Sequence, residues 1–175
     1  SFLPSSRSVA FLKEAWAEVG GYPEWLDYSE DLVFDIALRD KNGSFTFVET
    51  AVAYFRPRSS LRSFFKQYYL YARGDGKANL WGKRHAIRYL TYLVALPLIL
   101  RLIWNEKRAG WLLLILGTGA YSRRPAERLW DSTWGWRPPS RFRAFALIPI
   151  IRFVGDTAKM LGYPVGVVWR LRHKP

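Results

Sequence analysis

The chain has no cysteine, one methionine and two histidines. Without cysteine there is no disulfide framework and no thiolate zinc site, and His85 and His173 stand too far apart in sequence to read as a local metal motif. The N-terminus lacks the basic, apolar and small-residue order of a signal peptide, and no internal repeat or low-complexity segment is present. The chain begins at Ser1 rather than at a methionine, and Phe2-Leu3-Pro4 reads as a strand leaving an existing sheet, so part of a longer protein is expected. Acidic residues are scarce in one region only. Residues 80–175 hold 4 Asp or Glu against 17 Lys or Arg, whereas residues 1–79 hold 10 of each, so the whole net charge of +13 belongs to the second part.

In the first part, Gly20-Gly21 lets the backbone take positive φ and double back, which sets Glu30 and Asp31 just past a tight loop. Ser29 reads as an N-cap, the two carboxylates fall in a first turn where the helix dipole favours negative charge, and Asn42-Gly43 supplies a stop. A helix over 30–41 follows. Ser8 to Val19 reads as a short strand and a helical turn, and Ser44 to Glu49 and Ala51 to Phe55 read as two further strands. Ser59 or Ser60 caps a helix through Leu61, Phe64, Phe65, Tyr68 and Tyr69 toward Arg73, which Gly74-Asp75-Gly76 ends or kinks.

The second part looks membrane-facing. Tyr89 to Leu100 is apolar at every position but Thr91, and Gly110 to Tyr121 forms a second apolar run across the link Asn105 to Arg108. Each run is short against the ~20 residues of a full span, but Arg88 and Arg101 can snorkel, so a two-helix hairpin, spanning or re-entrant, is expected. Trp130, Trp134 and Trp136 among Arg123, Arg124, Arg128, Arg137, Arg141 and Arg143 suit a headgroup boundary with anionic lipids. Phe145 to Val154 and Met160 to Leu171 suit helices in the interface plane. The same basic and aromatic mixture serves nucleic-acid surfaces, but long aliphatic runs are unnecessary for that task, so no nucleic-acid partner is expected.

Taken in order, the extended Arg7-Ser8-Val9-Ala10-Phe11, the helix into Val19-Gly20-Gly21-Tyr22, the Glu30-Asp31 pair, Arg39 with Gly43, and the Gln67 to Gly74 segment resemble a known family. They are similar to the C-terminal half of the catalytic domain of a family 2 glycosyltransferase, followed by a membrane-associating tail. The resemblance implies an α/β fold for residues 1–79, the acceptor-side half of a GT-A, Rossmann-like nucleotide-sugar transferase domain, and a mainly helical membrane region for residues 80–175. It implies an inverting transfer from a nucleotide-sugar donor to a membrane-proximal, lipid-linked or glycan acceptor. Asp31 would be the general base, with Glu30 holding the loop or an acceptor hydroxyl; Gln67, Arg73 and Lys77 would lie near the donor diphosphate. Processive relatives have Gln-x-x-Arg-Trp where this chain has Gln67-Tyr68-Tyr69-Leu70, which points to a single-transfer enzyme.

A divalent cation, Mg or Mn, is implied with ligands in an N-terminal half absent from these residues, so 1–175 alone are expected to be inactive and to contribute no metal ligand. The basic tail places the protein at the cytoplasmic face. The alternative is a non-catalytic membrane adaptor built on a degenerate transferase half.

Overall fold

The computed structural model describes residues 2–4 and 6–173. They form six helices: α1 Lys13–Glu18, α2 Glu30–Asn42, α3 Leu61–Lys77, α4 Gly82–Trp104, α5 Arg108–Ser132 and α6 Pro138–His173. No strand occurs among the described residues, so the α/β expectation for residues 1–79 is corrected to an all-α arrangement. The physical reason lies in what a strand requires. Alternating residues at 44–49 and 51–55 do favour extended backbone, but a ladder also needs a neighbour's N–H and C=O groups at matching register. No such neighbour lies beside these segments, and Tyr54 is 96% exposed. Isolated side-chain contacts touch them instead, such as Phe2 edge-on to Phe47 and the Arg7 guanidinium over Phe55.

α2 begins at Glu30 and stops at Gly43, as its sequence predicts, and it buries Leu38 and Phe34, the latter packed against the rings of Phe11 and Tyr22. α3 is capped by Ser60, whose Oγ accepts from the Ser63 amide. It does not end at Gly74-Asp75-Gly76 but runs on to Lys77. Both glycines are places of close approach. A Cβ on Gly74 would lie 2.3 Å from the Tyr28 carbonyl oxygen, and one on Gly76 would lie 2.3 Å from that of Tyr163. Helix propensity disfavours glycine by about 1 kcal/mol per residue, and here that loss is offset by backbone packing that a side chain would forbid.

The expected pair of interfacial helices is one continuous helix, α6, which carries Pro149 and Pro164 inside it and makes its most extensive interface with α3. The small residues Ala158, Gly162 and Gly166 recur every fourth position and so share one face of α6. A Cβ on Gly162 or Gly166 would stand 2.2 Å from the Tyr69 oxygen or 2.0 Å from the Arg73 oxygen. The boundary drawn between residues 79 and 80 falls between α3 and α4, while α3 itself lies along α6.

α4 is longer than its apolar run. Its 23 residues rise about 34 Å, enough to cross a hydrocarbon core of ~30 Å, and it is the one helix among the described residues that is long and apolar enough to span a membrane. Many of its apolar side chains are outside the protein's packing: Ile87, Leu90, Leu93, Leu98, Leu100 and Trp104 are all exposed. Between Thr91 and Ala95 the helix widens into a π turn. Pro97, just beyond, has no amide hydrogen, and its ring crowds the carbonyl four residues back, which favours a wider turn at that place. α5 returns beside α4 after a tight turn in which Gly110 comes against Ile103, so the two apolar runs lie in a helical hairpin, of which α4 alone has the length and apolarity of a span.

Candidate functional site

Ser29 occupies the N-cap position of α2 in the left-handed region, at φ 67°. Its side chain does not cap the helix. Instead Ser29 Oγ reaches α3, within 3.4 Å of the Tyr71 carbonyl and 3.3 Å of Asp75 Oδ1. A non-glycine residue in this conformation costs of order 1–3 kcal/mol unless its surroundings hold it, and Ser29 is buried against the helix that Gly74 lets it touch. One first-turn amide of α2 is met by Asp31, whose Oδ1 accepts from the Leu32 N–H at 2.8 Å. The loop so docked carries Asp31 to the rim of a cleft of about 430 Å³ between α2, α3, α4 and α6.

The cleft is polar. α3 contributes Tyr68, Tyr71 and Asp75, α4 contributes Arg84, His85 and Arg88, α6 contributes Lys159, and Arg7 closes one edge. His85 is 3% exposed and stacks on Tyr163 with ring centroids 3.8 Å apart. Arg88 Nη1 lies 3.0 Å from His85 Nδ1. Arginine only donates, so Nδ1 holds the lone pair and Nε2 carries the hydrogen, which faces Asp75 Oδ2 at 3.4 Å. Arg88 Nε donates to Asp156 Oδ1 at 2.7 Å, and Asp156 Oδ2 accepts from both Tyr92 and Tyr121. A continuous polar chain thus leads from Ser29 through α3 and α4 to α5 and α6.

Two carboxylates show how burial sets charge here. Asp35, one helical turn beyond Asp31 and 2% exposed, has its pKa pushed up to about 6, first by burial and then by the Asp31 charge. Asp27 goes the other way: burial opposes its ionisation, but the Lys77 hydrogen bond and the Arg73 charge hold its carboxyl below the usual range. On α6, burial and the nearby Arg88 charge lower the pKa of Lys159.

Of the residues expected to form one site, only Asp31 lines the cleft. Glu30, beside it, does not. Arg73 and Lys77 both pair with Asp27, with Lys77 Nζ 2.8 Å from Asp27 Oδ1 and 4.6 Å from the centre of the Trp169 ring. Gln67 donates to the Tyr71 hydroxyl at 2.7 Å and accepts from Arg58. These three residues therefore bind the loop and α3 to their neighbours. Reading Asp75 as part of a helix breaker concealed the cleft's other members. Once α3 is continued to Lys77, Tyr68, Tyr71, Ala72 and Asp75 fall on one face by their spacing of three and four.

No protein-family model, no curated protein and no solved structure matches this chain.

Among the described residues, no three His, Asp or Glu side chains converge into a group able to hold a metal ion. What the cleft can do with its own groups is accept a proton at Asp31 and hold an anion among Arg7, Arg84 and Lys159.

Proposed function

We propose that this protein serves as a membrane-associated inverting glycosyltransferase with Asp31 as general base. The observation that carries the reading is the position of Asp31 on a polar, cation-lined cleft, one wall of which is the N-terminal part of the long apolar helix α4. In this reading an acceptor hydroxyl gives its proton to the Asp31 carboxylate while its oxygen bonds to the anomeric carbon of a nucleotide sugar. The bond from that carbon to the diphosphate breaks from the opposite face, its electron pair leaves with the diphosphate, and the configuration inverts. The cations of the cleft favour the charge that develops on phosphoryl oxygens. Gln67, Arg73 and Lys77 take no part in the step, since their polar groups are engaged elsewhere.

The lysines and arginines around the hairpin favour the cytoplasmic face and anionic lipids. Protease protection of the tail in sealed vesicles of known orientation tests that side.

The deciding experiment is turnover of nucleotide sugars by the full gene product in lipid, with divalent cation supplied, for the parent and Asp31→Asn. A general base contributes about 10²–10⁴-fold, so loss of rate in that range is expected with membrane binding unchanged. No turnover with any donor by folded, membrane-bound protein would replace the enzyme with a non-catalytic adaptor.

A further inference from the structure

Beside the polar cleft lies a second cavity of different character. An apolar groove of about 310 Å³ runs between α4 and α5 and is closed at its base by Pro149 and Phe153 of α6. Leu96, Ile99, Leu113 and Leu114 form its walls, and Gly117 leaves room in one of them, since a Cβ there would meet nothing within 4 Å. Tyr92 and Tyr121 also line it, and their hydroxyls point to Asp156. Asp156 in turn accepts from Arg88, which lines the polar cleft. The groove and the cleft are therefore neighbours, separated by the one hydrogen-bonded layer Tyr92, Tyr121, Asp156 and Arg88. The π turn of α4 lies at this junction and contributes Thr91, Tyr92 and Ala95 to the groove.

The cleft carries cations in excess. Four basic side chains line it against the carboxylates of Asp31 and Asp75. Arg88 is paired with Asp156, but among the described residues no carboxylate oxygen lies within 4.0 Å of the charged nitrogens of Arg7, Arg84 or Lys159. Each of these three rests on an aromatic face instead: Phe55, Trp81 and Tyr68 respectively. Lys159 is half-buried, and the Asp156 and Asp75 carboxylates act on it only from beyond 4.0 Å, so a ligand anion in direct contact would offset its desolvation further. Arg7, Arg84 and Lys159 thus outnumber Asp31 and Asp75, and the occupant that satisfies both cavities has an anionic head and a single long apolar tail.

We propose that cleft and groove together form the binding site of a single-chain lipid with a phosphoryl headgroup. Arg84 and Lys159 hold the phosphoryl oxygens, and the chain lies between α4 and α5, where the groove opens toward the hydrocarbon that α4 is long enough to cross. The site deepens the transferase reading and rests on it for one role: the lipid is then the acceptor, and a hydroxyl carried by its headgroup meets Asp31.

The test is equilibrium binding of radiolabelled geranylgeranyl phosphate to the full gene product in detergent micelles, with geranylgeraniol and inorganic pyrophosphate as competitors. Saturable binding is expected, with each competitor at least about tenfold weaker than unlabelled geranylgeranyl phosphate. A hydrogen bond to a charged group contributes about 1.5–3 kcal/mol, so Arg84→Gln and Lys159→Gln should each weaken binding about tenfold or more, while Lys159→Arg retains it. Arg84 is exposed, so its variant keeps the test valid should Lys159→Gln fail to fold. A Cβ at Gly117 is unobstructed, so Gly117→Leu extends side-chain bulk into the groove and should weaken geranylgeranyl phosphate but not pyrophosphate.

Pyrophosphate that competes as well as the lipid, together with indifference to Gly117→Leu, would overturn the proposal in favour of a water-soluble phosphate such as the donor's diphosphate. Equal binding of geranylgeraniol would reduce the site to an apolar groove. Saturable lipid phosphate binding by a protein that turns over no donor would sink the transferase reading alone; turnover without such binding would sink this site alone.

Discussion

Replacing Gly166 by valine forces the two longest-shared surfaces of the fold apart. A Cβ at this position would stand 2.0 Å from the Arg73 carbonyl oxygen and 2.7 Å from the Lys77 amide nitrogen. Ordinary contact begins near 3.4 Å, so α3 and α6 must part by about 1.4 Å, and no side chain can swing away to absorb the shift, because both obstacles are backbone. Overpacking of this kind costs about 1–3 kcal/mol, and backbone against backbone belongs at the upper end. The same movement pulls Arg170 from the Gly76 carbonyl, to which it donates at 3.0 Å across the crossing. A loss of about 3 kcal/mol is a large share of a net stability of ~5–15 kcal/mol, and for a chain of this length it corresponds to a fall in Tm of about 6–12 °C. Thermal unfolding in detergent, followed by helical circular dichroism, measures it. Gly119→Ala is the control: it sits in α5 with nothing within 4 Å of the added carbon, so it should be neutral or raise Tm through the lower entropy of the unfolded chain. If Gly166→Val melts with the parent, or if Gly119→Ala falls as far, the close crossing of α3 and α6 is not what holds these helices together.

Asp35 makes a pH-dependent prediction. Its folded pKa of about 6 lies above the ordinary 3.8, so the folded state binds the proton more tightly, and the stability this confers is present below about pH 4 and lost as pH rises through about 6. Asp35→Asn should remove that slope and stabilise the protein at pH 7 by on the order of 1–2 kcal/mol, read from denaturant midpoints between pH 4 and 8; a destabilised variant at pH 7 would mean that the ionised carboxylate is needed. Arg88→Ala leaves Asp156 without its cation and frees His85 Nδ1, so a loss of roughly 3 kcal/mol is expected in the same unfolding assay, whereas a change below 0.5 kcal/mol would show that the two tyrosines alone satisfy Asp156. Neither variant touches the α3–α6 crossing at Gly166, so their effects should add to that of Gly166→Val within ~0.5 kcal/mol.

The legible parts of this fold are those set by neighbours in sequence. The start of α2 at Glu30 and its stop at Gly43 follow from local dipole and glycine chemistry, as does the Ser60 cap of α3. The apolar run at 89–100 marks the centre of α4, but the helix reaches from Gly82 to Trp104 because its first turns, Gly82 to Arg88, are largely polar and Arg101 interrupts the apolar run at the other end. The extended segments at 44–55 failed as strands, since a strand's stability belongs to its partner as much as to itself. Gly74-Asp75-Gly76 failed as a breaker for the opposite reason: tertiary packing at Tyr28 and Tyr163 overrides the local preference of glycine.

For the candidate site, the amino-acid order alone determined that Asp31 stands in the first turn of a helix after a tight loop, that the positive charge belongs to residues 80–175, and that one region is apolar enough to meet a membrane. Which face Asp31 shares, and with whom, was decided only by the tertiary structure. Gln67, Arg73 and Lys77 lie close to the cleft in sequence yet are turned to Arg58, Tyr71 and Asp27, while Asp75, Arg84, His85, Arg88 and Lys159 come together from three helices. Charge and periodicity are properties of a segment. The pairing of a cation with a carboxylate, or its being left to face an open cleft, depends on side-chain distances of a few ångströms, which arise only when the helices cross.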